Sequence, residues 1–208
     1  MKKRCHTGWL IALFLYVLAV TSGSSVASQE TDQVPWSADR PLLWDDFQGK
    51  PPVQAQDMVE AAQIHMTIHW QLQLIMEYNC QLQLWTAIID RPSLTVVNTM
   101  VPASSWVDRS RLNSATLNHE QGHFDLNEVY RRKLQAALAP LTAEGGTADA
   151  AKQALQALID VASEKVMSQL ANTQANYDQE THHGTDLQAQ TAWNNRIDTW
   201  LGDPSQVP

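Results

Sequence analysis

Near the middle of the chain stands Leu117-Asn118-His119-Glu120-Gln121-Gly122-His123-Phe124, a His-Glu-x-x-His motif. On a helix, a separation of four residues brings His119 and His123 to one face, one turn apart. Two neutral imidazoles so placed can share one Zn²⁺. Glu120 is too short and wrongly directed to join them as a ligand, but it can reach a water beside the metal. Zinc acidifies such a water and Glu120 can take its proton, so the motif predicts metal-assisted hydrolysis, of a peptide bond in the first instance. Gly122 costs about 1 kcal/mol relative to Ala in a helix interior, which predicts a close neighbour there.

A catalytic zinc usually has three protein ligands and an open fourth position. A Gly at +3 and a His at +6 beyond His123 would supply the third, but Leu126 and Val129 stand there. A downstream Glu with an Asp four residues later is also missing. The richest remaining cluster is Tyr177-Asp178-Gln179-Glu180-Thr181-His182-His183-Gly184, read as a loop between helices. His183 leads as third ligand, followed by His182, Glu180 and Asp178, with Asp186 further off. The carboxylates could instead orient a ligand histidine. Tyr177 is a candidate hydrogen-bond donor to a developing oxyanion. For each residue of this cluster, a helix cap or surface loop is the competing reading. His65 and His69 would lie about 13 Å apart along a strand, too far to share a metal.

These side chains need a scaffold. From Ile64 to Leu84 the even positions are mainly apolar and the odd ones mainly polar. This period of two predicts strands with one buried face, broken by a turn near Glu77-Tyr78-Asn79. A further strand is expected over Leu94–Met100. Beyond Pro102 the pattern becomes helical. One helix is predicted from a Ser114 cap to about Ala139, a second from Asp149 to about Asn176, and a third from a Thr185 capping box to Trp200. The second carries Leu155, Leu158, Ile159, Ala162, Val166 and Leu170 at helical spacing. The expected fold is α+β: a small antiparallel sheet followed by three helices, with a zincin-like metal helix.

The N-terminus reads as a targeting segment. Lys2, Lys3 and Arg4 precede an apolar run from Trp9 to Val20, and Ser25-Val26-Ala27 has the form of a signal-peptidase site. The run is shorter than the roughly 20 residues of a spanning helix. Residues 1–27 are therefore expected to be a cleaved signal peptide, leaving a periplasmic protein with no stable membrane insertion. Residues 28–57 read as an extended Pro- and Gln-rich arm carrying Trp36, Trp44 and Phe47, residues 58–203 as a zinc metallopeptidase domain, and 204–208 as a tail.

Composition narrows the function. The 208 residues carry 14 Lys and Arg against 22 Asp and Glu, a formal charge of −8. Loss of residues 1–27, with three basic and no acidic side chains, takes this to −11. Such a balance argues against nucleic acid as a partner. Of the two cysteines, Cys80 alone would remain, and it reads as a buried, inert thiol.

The motifs also resemble a known group: bacterial secreted proteins classed as a domain of unknown function and described as zinc-dependent proteases. The resemblance runs from Trp44-Asp45-Asp46-Phe47-Gln48-Gly49 through Ser105-Trp106 to Gln190 and Trp193. It is strongest in Leu117–Asp125 and Tyr177–Gly184. It implies His119 and His123 as zinc ligands and Glu120 as the catalytic acid. Its Tyr-Asp-x-x-Thr-x-His-Gly pattern falls on Tyr177, Asp178, Thr181, His183 and Gly184, which favours His183 over His182. The expected function is a zinc metalloendopeptidase acting on a peptide or protein substrate. A zinc-binding envelope or assembly protein without turnover is the alternative, and a structural protein whose histidines bind no metal is a third.

Overall fold

A computed structural model describes residues 33–55 and 58–207, together with the backbone of 16–18. Apart from that backbone, the expected signal peptide lies outside the described residues. The element order is β1 (Tyr16–Leu18), β2 (Val34–Pro35), β3 (Ala62–Gln63), β4 (Met66–Leu72), β5 (Leu74–Asn79), β6 (Leu84–Ile89), β7 (Thr95–Met100), β8 (Trp106–Val107), α1 (Ser114–Leu138), β9 (Thr142–Gly145), α2 (Ala148–Thr181) and α3 (Leu187–Gly202). The class is α+β. Three small sheets have the orders β1-β4-β7-β2, β3-β8 and β5-β6-β9.

By internal contacts the chain forms two units. One comprises residues 1–19, 70–96 and 134–166; the other comprises 20–69, 97–133 and 167–208. In the first, β6 is the central strand, antiparallel to β5 and to β9. Leu74, Met76, Ala87 and Ile89 supply its buried strand positions, and Leu155 and Ile159 are buried on α2. The period-two reading holds here, because Leu72, Leu74 and Met76 are all buried even positions. The breaks fall elsewhere than expected. The apolar alternation passes through Gln73, where one strand ends and another begins, and the hairpin turn occupies Cys80–Gln83 instead of residues 77–79. Gln83 supplies the left-handed position of that turn, with φ 57°. Cys80 is half-buried and sits in the hairpin turn, where the alternation had placed a buried, inert thiol on a strand. Thr142–Gly145, in the stretch left between the first two expected helices, forms β9 and pairs with β6, where Thr142 Oγ1 donates to the Ala87 carbonyl at 3.0 Å.

The second unit contains the candidate chemistry. Its core joins Leu42, Phe47, Ala62, Ile64, Met100, Val107 and Phe124, with Trp36, Trp44, Met66 and Leu117 packed against it. The aromatics of the N-terminal arm thus enter the core. Gln121 and Asp125 of α1 hold that arm by polar contacts: Leu42 N–H donates to Gln121 Oε1 at 2.7 Å, and Trp36 Nε1 donates to Asp125 Oδ1 at 2.7 Å. Asn113, not Ser114, caps α1, its Oδ1 accepting from Thr116 N–H at 2.8 Å. Asp186 replaces Thr185 as the α3 cap, accepting from the Gln188 and Ala189 amides. Within this unit Glu128 is buried but compensated, with both oxygens taken by Arg131 and Arg132 at 2.8–2.9 Å.

Asp125 carries a measurable cost. Burial raises its carboxyl above the ordinary value of 3.8, and the nearby Asp198 and Glu128 add to this, against the hydrogen bonds from Trp36 and Gln121. Because the folded-state value lies above the unfolded one, stability falls as pH rises from 3.8 through the folded value. Asp125→Asn keeps an oxygen for both donors and removes the charge. Its Tm should exceed that of the wild type at pH 7, with the gain shrinking as the pH approaches 3.8. A variant less stable than wild type at pH 7 would contradict this.

Candidate metal centre

The site lies wholly in the second unit and is built on α1. His119, Glu120 and His123 line one wall of a cleft of about 200 Å³. The helix turn brings His119 Nε2 and His123 Nε2 to 3.2 Å from each other. Asp178 Oδ1 joins them, 3.1 Å from the first and 2.9 Å from the second. His183 Nδ1 lies 3.7 Å from the same carboxylate oxygen and 3.4 Å from Glu60 Oε1. His119, Asp178 and His183 offer ligand atoms all within 4.8 Å of one another, a group that could hold a metal ion.

Two glutamines fix which ring nitrogens face inward. His123 Nδ1 is 2.6 Å from Gln174 Oε1, and the other end of that amide donates to the His123 carbonyl at 3.0 Å. His119 Nδ1 is 3.1 Å from Gln190 Oε1, whose amino group donates to Tyr177 and Asn194 at 2.7 and 2.8 Å. Both amides are thereby oriented with oxygen toward the rings, so each Nδ1 carries a hydrogen and each neutral ring points an Nε2 lone pair into the cleft. Two lone pairs and a carboxylate oxygen within about 3 Å repel unless a cation lies among them.

A proton is one such cation. Burial would lower the His123 ring, but the hydrogen bond and charge of Asp178, the Glu120 charge and the Gln174 contact together raise it. Burial likewise opposes ionisation of Asp178, yet the bonds from His119 and His123 hold its carboxyl well below the usual carboxylate range. A metal ion fits the same position by displacing the proton, and its affinity must then weaken as the pH falls. The donor set of imidazole and carboxylate suits a divalent transition metal. Glu120 is buried beside the histidines. Burial pushes its carboxyl up, partly offset by the two rings and by the Ile64 amide, which donates to Glu120 Oε2 at 2.8 Å.

The Tyr177–Gly184 segment is arranged differently from a loop. The second helix runs five residues beyond the expected Asn176, so Tyr177 and Asp178 sit on its last turns and only the residues after Thr181 leave it. Asp178 and His183 are brought to the cleft. His182 is exposed, Glu180 accepts from Trp193 Nε1 at 2.9 Å outside the cleft, and Asp186 is spent on the α3 cap. His65 and His69 are both exposed and away from the cleft lining, but only His69 lies on a strand, β4; His65 falls in the break between β3 and β4, so the two do not share the single strand expected of them. Three consecutive left-handed residues, His182 (φ 49°), His183 (φ 53°) and Gly184 (φ 79°), turn the chain back toward α1. A Cβ on Gly184 would stand 2.7 Å from His119 Cβ, so this glycine is required by both its φ and its neighbour.

Tyr177 occupies a different place from the oxyanion donor expected of it. It is fully buried, its hydroxyl donates to the His119 carbonyl at 3.0 Å and accepts from Gln190, and it does not line the cleft. It also explains Gly122, since a Cβ there would overlap the hydroxyl oxygen and lie 2.7 Å from Cζ. Tyr177 is thus a strut under the metal helix, stacked on His119 with ring centroids 4.6 Å apart. The sequence reading missed Glu60, Gln174 and the role of Gln190. Gln174 had a signal, lying one helical turn before Asp178 on the same face. Glu60 had none, since Arg111 carries it there by gripping its backbone carbonyl at 2.8 Å.

The fold and site define an α+β protein with a histidine–carboxylate cluster able to hold a metal ion. The chain belongs to the family described as "Bacterial protein of unknown function (DUF922)", whose profile matches residues 39–184 and so takes in the motif helix and the Tyr177–Gly184 segment. No curated protein and no solved structure matches it.

Two outcomes follow from this packing. Gln174→Leu removes the acceptor on His123 Nδ1 and should weaken divalent-metal affinity roughly 10–100-fold, measured by competition with a chelating dye. Unchanged affinity would show that the tautomer is set by other means. Gly122→Ala should destabilise the protein by about 1–3 kcal/mol in denaturant titrations, because the buried Tyr177 ring must move; a neutral effect would contradict the close packing.

Proposed function

We propose that the protein is a secreted, periplasmic zinc-dependent metallopeptidase. The observation that carries this reading is the convergence of His119 Nε2, His123 Nε2 and Asp178 Oδ1 beside the buried Glu120 carboxyl. His119 and His123 would hold the ion, with Asp178 or His183 completing three protein ligands. Zinc in such a site supplies Lewis acidity, lowering the pKa of water and polarising a carbonyl. Glu120, raised by burial, is suited to take a proton from the attacking water and pass it to the departing amine nitrogen. Gln174 and Gln190 keep the two rings in the ligating tautomer throughout. Ala62, Gln63 and Ile64 border the same cleft, where an extended peptide could lie. The charged N-terminus, the apolar run and Ser25-Val26-Ala27 support export, and no helix among the described residues is long and apolar enough to cross a membrane.

A second reading has its own support. Asp178 and His183 both approach the histidine pair, and four protein ligands would close the site in the manner of a structural zinc. The protein would then be a zinc-binding envelope or assembly module. Metal analysis together with digestion of a diverse peptide library separates the two. The metallopeptidase should contain zinc and cleave peptides, and Glu120→Gln should keep the zinc while losing at least about 10²-fold in rate. Zinc retained with no cleavage by either form would favour the closed site. Protein that binds no zinc would reject both.

A further inference from the structure

Three histidines and Asp178 converge on the cleft, but the rings are not held alike. His119 and His123 turn Nε2 inward because the oxygens of Gln190 and Gln174 take the hydrogens on their Nδ1 atoms. His183 has no such acceptor behind it among the described residues. Its contacts are both at Nδ1, with Glu60 Oε1 at 3.4 Å and Asp178 Oδ1 at 3.7 Å. A lone pair aimed at two carboxylate oxygens is repelled, whereas an N–H is attracted, so His183 Nδ1 carries a hydrogen. At these distances neither contact is a full hydrogen bond, and the N–H keeps the capacity to meet another oxygen in the cleft.

Spacing separates the same groups. His119 Nε2, His123 Nε2 and Asp178 Oδ1 stand 2.9–3.2 Å from one another, close to the roughly 3.3 Å between donors on a tetrahedral zinc. His119, Asp178 and His183 also fall within 4.8 Å, so proximity alone does not choose the third ligand; the hydrogen on His183 does.

Both sides of the His183–Glu60 contact are built. The His183 amide donates to the Asp178 carbonyl at 2.9 Å, which ties the imidazole to the end of α2, and the left-handed run through Gly184 holds it there. Opposite, Arg111 pairs with Asp108 at 2.9 Å and grips the Ala55, Met58 and Glu60 carbonyls. Its guanidinium is thus spent on backbone and Asp108, and the Glu60 carboxylate faces His183 instead.

We propose that His119, His123 and Asp178 are the three metal ligands, and that His183, oriented by Glu60, is a hydrogen-bond donor to an oxygen in the cleft beside them. In the metallopeptidase reading, on which the catalytic part of this inference rests, that oxygen belongs to the substrate carbonyl as negative charge builds on it. His183 then fills the donor role that the buried Tyr177 does not reach. Glu60 is a positioning residue, keeping the hydrogen on Nδ1 and the ring at the cleft.

Two titrations that need no turnover decide the assignment. Zinc affinity, measured by competition with a chelating dye, should fall about 100-fold or more in Asp178→Ala and stay within about threefold in His183→Ala. Acetohydroxamate, an anionic oxygen-donor probe, should bind the zinc-loaded wild type and bind His183→Ala about 10–100-fold more weakly. His183→Gln, whose amide restores a donor, and Glu60→Gln should fall between these two. Zinc lost with His183→Ala, no saturable acetohydroxamate binding by the zinc-loaded wild type, or equal binding by wild type and His183→Ala would each overturn the proposal. Where peptides are cleaved, His183→Ala should lower kcat about 10²-fold with KM little changed, and an unchanged kcat would also overturn it. A wild type that behaves as expected in both titrations yet cleaves nothing would reject the peptidase reading and support the ligand and donor assignment.

Discussion

The site depends on the concentration of negative potential at one point beneath the cleft. His119 and His123, one turn apart on α1, aim their Nε2 atoms at each other and at Asp178 Oδ1. In water such an arrangement would relax by rotating a ring. Here the rings cannot turn freely, because Gln174 and Gln190 hold their outer nitrogens and are themselves held by backbone and Tyr177. The electrostatics demand a cation, either a proton on His123 or a metal ion.

Much of the surrounding structure serves this constraint. Tyr177 lies against the backbone of the metal helix, which is why position 122 has no side chain. The left-handed run from His182 to Gly184 reverses the chain tightly enough to return His183 to the cleft and set Gly184 against His119. Non-glycine residues with positive φ cost roughly 1–3 kcal/mol where the surroundings enforce them, so two adjacent histidines in this conformation are a strain the packing must offset. On the opposite side, Arg111 binds the Ala55, Met58 and Glu60 carbonyls and so fixes the segment that presents Glu60 to His183.

The parts legible in the sequence were those with strong periodicity or fixed spacing. His119, Glu120 and His123 could be placed on one helix because four-residue spacing has a single geometric consequence there. Ser114–Leu138 and the alternating apolar positions 72, 74 and 76 followed for the same reason. What escaped depends on contacts between segments far apart. The α2 helix continues through Tyr177 and Asp178 because buried Tyr177 anchors it to α1, which converts an expected loop into a helical wall. Thr142–Gly145 pairs with β6 through its backbone, with no apolar alternation to announce it. Glu60 reaches the cleft through a loop whose path is set by Arg111, fifty-one residues away in sequence.

The central claim is that His119, His123 and a carboxylate or third imidazole surround a metal ion. X-ray absorption at the zinc edge of the purified, zinc-loaded protein tests this most directly. A low-coordinate nitrogen and oxygen shell is expected, with multiple scattering from at least two imidazoles that is reduced by one imidazole in His123→Ala. A zinc spectrum showing only oxygen neighbours, or one unchanged in His123→Ala, would contradict it.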